Sequence, residues 1–141
     1  RASPMLTKSD SIRRYRFPMI QPNFVILFVG NPPDSAAFYS GLLGKQPVEN
    51  SAAFAMFILD NGWKLGLWAK HNVEPAATVT GGGTEVVFTV GSYDAVREAC
   101  AEWTARGLPM AQPVTQMDFG LTFVALDPDG HRLRVFARPP A

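Results

Sequence analysis

Few residues of this 141-residue chain could carry out covalent chemistry. The chain has one cysteine, Cys100, and two histidines, His71 and His131, and no spacing brings a nucleophile next to a histidine base. Charged side chains instead stand singly within otherwise apolar segments, at Lys64, Glu85, Arg132 and Arg134. Isolated charges among apolar and aromatic residues are typical of a binding cleft, whose apolar walls carry a few polar groups.

Length and composition narrow the class of protein. With 47% hydrophobic residues the chain can bury one good core, and it is too short for two ordinary domains. A single cysteine excludes an internal disulfide. Beyond residue 18 the chain has eight basic and eleven acidic residues, which argues against a nucleic-acid surface. No apolar run approaches membrane-spanning length, so we expect a cytoplasmic protein with neither membrane nor nucleic acid as partner.

Residues 1–18 differ from the rest of the chain. They have little apolar periodicity and hold five basic residues against one acidic residue. We interpret them as a disordered leader or an expression remnant, and residues 19–141 as a single domain.

The first half of the domain predicts one helix and four strands. Asn31 can cap a helix whose first turn tolerates Pro32, and Gly44 can end it. A linker rich in glycine and proline, residues 71–83, follows the last strand of this half. The predicted elements are a strand (23–30), a helix (35–43), short strands (46–50 and 53–59) and a strand (63–69).

The second half repeats this order. It predicts a strand (85–91), a helix (93–106), an edge strand carrying two prolines (109–117) and a hairpin (120–138). The hairpin turns at residues 127–130, with the sequence Asp-Pro-Asp-Gly. Its last strand, read from residue 130, has the pattern of residues 62–70. The chain is therefore interpreted as two copies of a strand-helix-three-strand module, at about 19–75 and 84–138.

Alternation along four strands predicts which side chains share a face of a sheet. One set is wholly apolar, as a helix-covered face should be: Val25, Leu27, Val29, Leu65, Leu67, Val86, Phe88, Val90, Leu133 and Val135. The other set mixes rings with charges: Phe24, Ile26, Phe28, Lys64, Gly66, Trp68, Glu85, Val87, Thr89, Arg132, Arg134 and Phe136. The alternation alone fits two interpretations of this mixed face equally well. It could line a ligand cleft, or it could be a dimer interface or a solvated sheet face.

Several motifs resemble the vicinal-oxygen-chelate superfamily, which contains glyoxalase I, extradiol dioxygenases, fosfomycin-resistance enzymes and bleomycin- and phenazine-resistance binding proteins. They are DSAAFY at residues 34–39 with LLG at 42–44, and FGLTF at 119–123 leading to DPDGH at 127–131. The resemblance implies an α+β fold of two tandem βαβββ modules that form curved mixed sheets with helices on the outside. It also implies a homodimer with two clefts near the subunit interface.

The resemblance also locates the positions that hold a metal in the enzymes of this superfamily. Here they fall on Phe24, Gly66, Glu85 and Arg134, and of these only Glu85 offers a metal ligand. The sequence therefore predicts no metal and no cofactor. We hypothesise that Glu85 and Arg134 meet across the cleft as an ion pair in place of the metal.

These observations favour non-catalytic binding and sequestration of a small planar aromatic molecule, an antibiotic in a resistance protein. Trp68 would stack on the ligand or pack at a subunit interface, and Asp118 would accept a hydrogen bond from the ligand or cap its turn. A glyoxalase-like metal-dependent lyase or isomerase and a binding module with a vestigial cleft are the alternatives. The candidate ligand-binding residues are Trp68, Phe24, Phe57, Glu85, Asp118, Phe119, Arg134 and Phe136.

Overall fold

The structure, a computed structural model, describes residues 20–141. The leader expected at residues 1–18 lies outside this range. The helices and strands follow in the order β1 (Phe24–Val29), α1 (Pro32–Leu43), β2 (Glu49–Asn50), β3 (Phe54–Ile58), β4 (Lys64–Ala69), β5 (Glu85–Thr89), α2 (Tyr93–Ala105), β6 (Met110–Met117), β7 (Gly120–Leu126) and β8 (Arg132–Ala137).

The first module is a four-stranded mixed sheet in the order β1-β4-β3-β2, with β1 and β4 parallel. Helix α1 begins where the Asn31 side chain accepts a hydrogen bond from the backbone N–H of Asp34, at 3.0 Å. It ends at Gly44, whose φ of +65° is left-handed. The predicted capping residues, Asn31 and Gly44, are confirmed. The helix begins at Pro32, three residues before the predicted range of 35–43, because the two prolines occupy its first turn.

The second module repeats this topology in the order β5-β8-β7-β6, with β5 and β8 parallel. The Ser92 hydroxyl caps α2 by accepting from the backbone N–H of Ala95 at 3.1 Å. Strand β6 lies at the edge, as its prolines predicted, and its pairing with β7 shifts register twice. Two four-stranded mixed sheets with two helices therefore confirm the predicted fold.

Each helix packs on one side of its own sheet, α1 on β3 and β4 and α2 on β7 and β8. The helix-side residues of both sheets form one hydrophobic core, which includes Leu67, Phe123 and Trp103. The predicted apolar set lies on this side, with one residue, Val25, 38% exposed. No helix in the described range, 20–141, is long and apolar enough to cross a bilayer.

The turn between β7 and β8 joins the two modules. Asp127 accepts hydrogen bonds from the backbone N–H groups of Asp129 and His131, and its other oxygen accepts from the Tyr39 hydroxyl of α1 at 2.7 Å. Burial, with the Asp127 carboxylate beside it, raises the pKa of Tyr39. The buried His131 ring donates from Nε2 to the backbone oxygen of Phe28, at 2.8 Å. His131 thus has a structural role that holds β1 against the second module.

Candidate ligand-binding site

The side of each sheet that the helices leave uncovered is its open face. On the first module the open face carries four half-buried rings, which we call the aromatic face: Phe24, Phe28, Phe54 and Trp68. Parallel pairing places Phe28 opposite Trp68, and their rings meet edge to face with centroids 6.5 Å apart. Antiparallel pairing places Phe54 opposite Trp68 on the other side. Two strand pairings therefore gather these rings around Trp68.

Gly66 makes this arrangement possible. A Cβ at this position would lie 2.9 Å from the Phe24 ring, closer than real Cβ atoms approach, and 3.0 Å from the Phe54 ring, which is also tight. Because Gly66 has no side chain, both rings can pack against the backbone of β4. The ammonium of Lys64 stands 5.6 Å from the centroid of Phe24, so one cation borders the rings.

The open face of the second module is polar at its centre. We call this group the ionic cluster, formed by Glu85, Arg132, Arg134, Gln112 and Thr122. Arg134 donates to both oxygens of Glu85, from Nε at 2.8 Å and from Nη2 at 3.0 Å. Nη2 of Arg132 lies 2.7 Å from the same carboxylate. The hypothesised Glu85–Arg134 ion pair is therefore present, with a second guanidinium beside it.

Arg134 makes hydrogen bonds with four of its five N–H donors within residues 20–141. Its Nη1 donates to Gln112 and Thr122, both at 3.1 Å, and the Thr122 hydroxyl donates in turn to a backbone oxygen of β8. The guanidinium also lies 5.8 Å from the centroid of Phe119, whose ring meets Phe136 edge to face at 5.5 Å. A guanidinium with this many partners is fixed in position.

The two guanidinium groups lower the pKa of the Glu85 carboxyl, chiefly through the hydrogen bonds from Arg134 and against the opposing effect of burial. Glu85 is therefore ionised at neutral pH. It is poorly suited to act as a general acid or base, because that role needs a pKa near the working pH.

Six of the eight candidate residues lie on the open faces, divided between the modules. Phe24 and Trp68 lie on the first, and Glu85, Arg134, Phe119 and Phe136 belong to the second. Asp118 is exposed, and it forms with Phe119 the turn between β6 and β7. Within residues 20–141 no hydrogen bond, ion pair or ring contact joins the aromatic face to the ionic cluster.

The prediction that Phe57 lines the cleft is wrong. Its side chain is fully buried, at 0% exposure, and belongs to the core. Phe57 pairs with Leu65, a helix-side residue, so it points away from the open face. The neighbouring ring on that strand, Phe54, has the opposite parity and lies on the aromatic face.

Five contributors were not among the candidates: Phe28, Phe54, Arg132, Gln112 and Thr122. Arg132 shares its parity with Arg134, which was a usable signal. Strands β3, β6 and β7 had no assigned facing in the sequence, because they read as apolar on both sides or are interrupted by proline.

A largely apolar cavity of about 480 Å³ opens between the modules. It is lined by Val25 of β1, Phe88 of β5 and Tyr39 of α1, and two charged residues of the open faces, Lys64 and Glu85, also border it. The cavity borders four successive residues of β5 and one residue of β1, and each of these strands has one edge that pairs with no other strand of the described residues.

The sequence pattern of the Glyoxalase/Bleomycin resistance protein/Dioxygenase superfamily matches residues 21–135. The chain belongs to this superfamily. A phenazine antibiotic resistance protein, EhpR, from Enterobacter agglomerans is 29% identical over 122 residues, which cover 84% of this chain and 92% of that protein.

Solved structures agree with this membership. A protein from Agrobacterium tumefaciens determined by solution NMR is 53% identical, with a TM-score of 0.81 over 86% of this chain and 100% of that one. A glyoxalase-related enzyme from Fulvimarina pelagi is 25% identical, with a TM-score of 0.75 over 86% of this chain and 90% of that one. Both carry the superfamily fold.

The positions implied for a metal in superfamily enzymes do not suit one here. The Phe24 ring lies over Gly66, and neither residue offers a side-chain metal ligand. Both carboxylate oxygens of Glu85 accept hydrogen bonds from Arg134. A divalent cation at Glu85 would have to displace two guanidinium groups and then lie beside them. Across the described residues, no three His, Cys, Asp or Glu side chains come together as a metal site.

Proposed function

We propose that this protein binds a small planar aromatic molecule and sequesters it without changing it, and that an antibiotic is its biological ligand. The aromatic face carries this proposal, since it presents four half-buried rings on a sheet surface that no helix or strand within residues 20–141 covers. Rings of this kind offer a large, rigid contact area to a flat ligand. The likeness to a phenazine resistance protein supports the same ligand class.

The ionic cluster supports binding without catalysis. Glu85 is the one residue at the metal positions that could ligate a cation, and its two oxygens accept from Arg134. Its lowered pKa removes it as a proton-transfer group near neutral pH. The cluster can still orient a polar edge of the ligand.

We further propose that two chains associate so that the aromatic face of one meets the ionic cluster of the other. The free strand edges, β1 and β5, carry apolar residues exposed in the single chain, Ile26 at 40% and Val87 at 49%. Exposed apolar edge strands are normally covered by another element or chain. Such a pair would bring the two halves of the candidate site together.

Titration of the protein with phenazine, followed by calorimetry and tryptophan fluorescence, tests the ligand class. We expect saturable binding, and a loss of about tenfold in affinity for Trp68→Ala because one stacking surface is removed. Trp63→Ala is the matched control, since Trp63 lies on a turn and not among the four rings. Absence of saturable binding would overturn the proposal, and unchanged affinity in Trp68→Ala would remove Trp68 from the site.

A mixing experiment tests whether the site is shared between chains. Trp68→Ala damages only the first module and Arg134→Met only the second, so each variant alone should bind poorly. Co-expressed, the two variants would form mixed dimers in which one site takes both of its halves from undamaged modules. Recovery of tight binding in about a quarter of the sites is expected from random pairing. A site built within one chain would show no recovery.

A metal-dependent lyase or isomerase is the alternative, favoured by the likeness to the glyoxalase-related enzyme from Fulvimarina pelagi. Exposure to Ni²⁺, Zn²⁺ and Mn²⁺ followed by desalting and metal analysis separates the two functions. We expect far less than one ion per chain. Stoichiometric retention would favour the enzyme.

A further inference from the structure

The two arginines of the ionic cluster differ in how fully they are used. Arg134 donates from all three of its nitrogens, to Glu85, Gln112 and Thr122. Arg132 has one close polar contact within residues 20–141, from Nη2 to Glu85. Its Nε is covered by protein and has no acceptor among those residues. A guanidinium offers five N–H donors, so most of the donor capacity of Arg132 is unused.

The charges of the cluster are also unbalanced. Arg132 and Arg134 bring two positive charges, and Glu85 brings one negative charge. Both oxygens of Glu85 already accept from Arg134, and Arg132 stands against one of them. The remaining charge is therefore positive and centred on Arg132, whose side chain is 40% exposed, against 15% for Arg134.

Arg132 borders a small recess at the start of β5. The recess measures about 220 Å³ and is lined by Arg132, Glu85 and residues 82–84. A Cβ added to Gly82 or Gly83 would meet nothing within 4 Å, so there is open space beside this backbone. A group of two or three heavy atoms could enter without moving a side chain.

We propose that Arg132 and this recess bind a carboxylate carried by the aromatic ligand, which makes the ligand class a planar aromatic acid. This inference rests on the proposed function, because it assigns the polar end of the same ligand. Arg134 holds Glu85 in place, and Arg132 supplies the free donors that a carboxylate accepts as charge-assisted hydrogen bonds. No residue here reacts with the acid.

Calorimetry with two probes, phenazine-1-carboxylate and phenazine-1-carboxamide, tests the assignment because they differ only in the charged group. The full chain should bind the acid about tenfold or more tightly than the amide. Arg132→Met should lose that preference and keep its affinity for the amide within about twofold, while Arg132→Lys keeps part of the preference as a point charge. Arg97→Met, at an exposed arginine of α2, is the matched control and should behave as the parent.

The outcomes separate this inference from the proposal beneath it. If the parent binds acid and amide equally, or Arg132→Met weakens both equally, the carboxylate assignment is wrong and aromatic binding stands. If the parent binds neither probe, both proposals fall. Thermal unfolding of each variant identifies any loss of affinity that comes from misfolding.

Discussion

The two modules place different chemistry at equivalent positions. In the first, β1 and β4 bring Phe24 over Gly66, with Lys64 bordering the ring. In the second, β5 and β8 bring Glu85 onto Arg134, with Arg132 beside the carboxylate. The strand registers are the same, since Phe24 pairs with Lys64 as Glu85 pairs with Arg132. The duplicated fold therefore determines which positions meet, and the residue types determine whether the meeting is apolar or ionic.

This difference divides the requirements of the proposed ligand between the modules. A flat ligand can shift sideways on aromatic rings without losing much contact area, whereas a bidentate charge-assisted hydrogen bond fixes the orientation of the group it binds. We infer that the first module supplies contact area and the second supplies orientation. Substitutions in the two modules should therefore differ in size and in pH dependence.

The largest expected effect comes from breaking the ionic side. Arg134→Met removes donors to Glu85, Gln112 and Thr122 and leaves the carboxylate with Arg132 alone. We expect the free energy of unfolding to fall by about 2–4 kcal/mol, measured by urea denaturation. Arg97→Met, which breaks an exposed pair with Asp94, should change it by less than about 0.5 kcal/mol. Similar losses in the two variants would contradict the importance given to the cluster.

A smaller, pH-dependent effect is expected at Glu85. Its pKa is lowered in the folded protein, so its ionisation stabilises the fold above the ordinary glutamate pKa of about 4.3 and this contribution is lost as the pH falls further. Glu85→Gln should lose about 1–2 kcal/mol at pH 7. The gap between the two proteins should narrow below about pH 4. Thermal unfolding at pH 3 to 7 measures this, and a constant gap would mean that charge is not its cause.

The aromatic side can be strained by adding one carbon. Gly66→Ala places a Cβ against the rings of Phe24 and Phe54, which must both move. We expect a loss of about 1 kcal/mol in unfolding free energy together with weaker phenazine binding. Gly91→Ala is the control, because a Cβ there meets nothing within 4 Å. Equal stability of the two variants would show that the Phe24 and Phe54 rings move aside without a cost in free energy.

The smallest effect is expected at Lys64, the first module's counterpart of Arg132. Its ammonium borders the Phe24 ring and has no ion-pair partner within residues 20–141. Lys64→Met should change the unfolding free energy by no more than about 0.5 kcal/mol. A loss as large as that of Arg134→Met would contradict the proposed division between an apolar and an ionic module.

The sequence predicts which side chains of a strand lie on the open face where both modules contain a strand of the same pattern. Alternation predicts that Glu85 and Arg134 share the mixed face, and the resemblance to metal-binding relatives leads to the hypothesis that they pair; the structure contains the pair. The aromatic ring of Trp68 was placed on the open face in the same way. Two copies of one pattern test each other, because a one-residue slip would have moved charges into the core.

The sequence does not predict the open face of a strand whose two sides are equally apolar. In β3 the alternating residues Phe54, Met56 and Ile58 on one side and Ala55 and Phe57 on the other give no polar marker. Only pairing with β4 assigns Phe57 to the core and Phe54 to the open face. The orientation of Gln112 could not be predicted for another reason: the register shifts in β6 interrupt the alternation of its side chains.

The carboxylate of Asp127 makes the two modules depend on each other. One of its oxygens closes the hairpin of the second module, and the other accepts from Tyr39 of the first. A fragment ending in the glycine-rich linker would expose the Tyr39 hydroxyl without its acceptor, so the halves are not interchangeable pieces. The Tyr39–Asp127 hydrogen bond therefore couples the two modules, and each half of the chain completes a buried polar contact of the other.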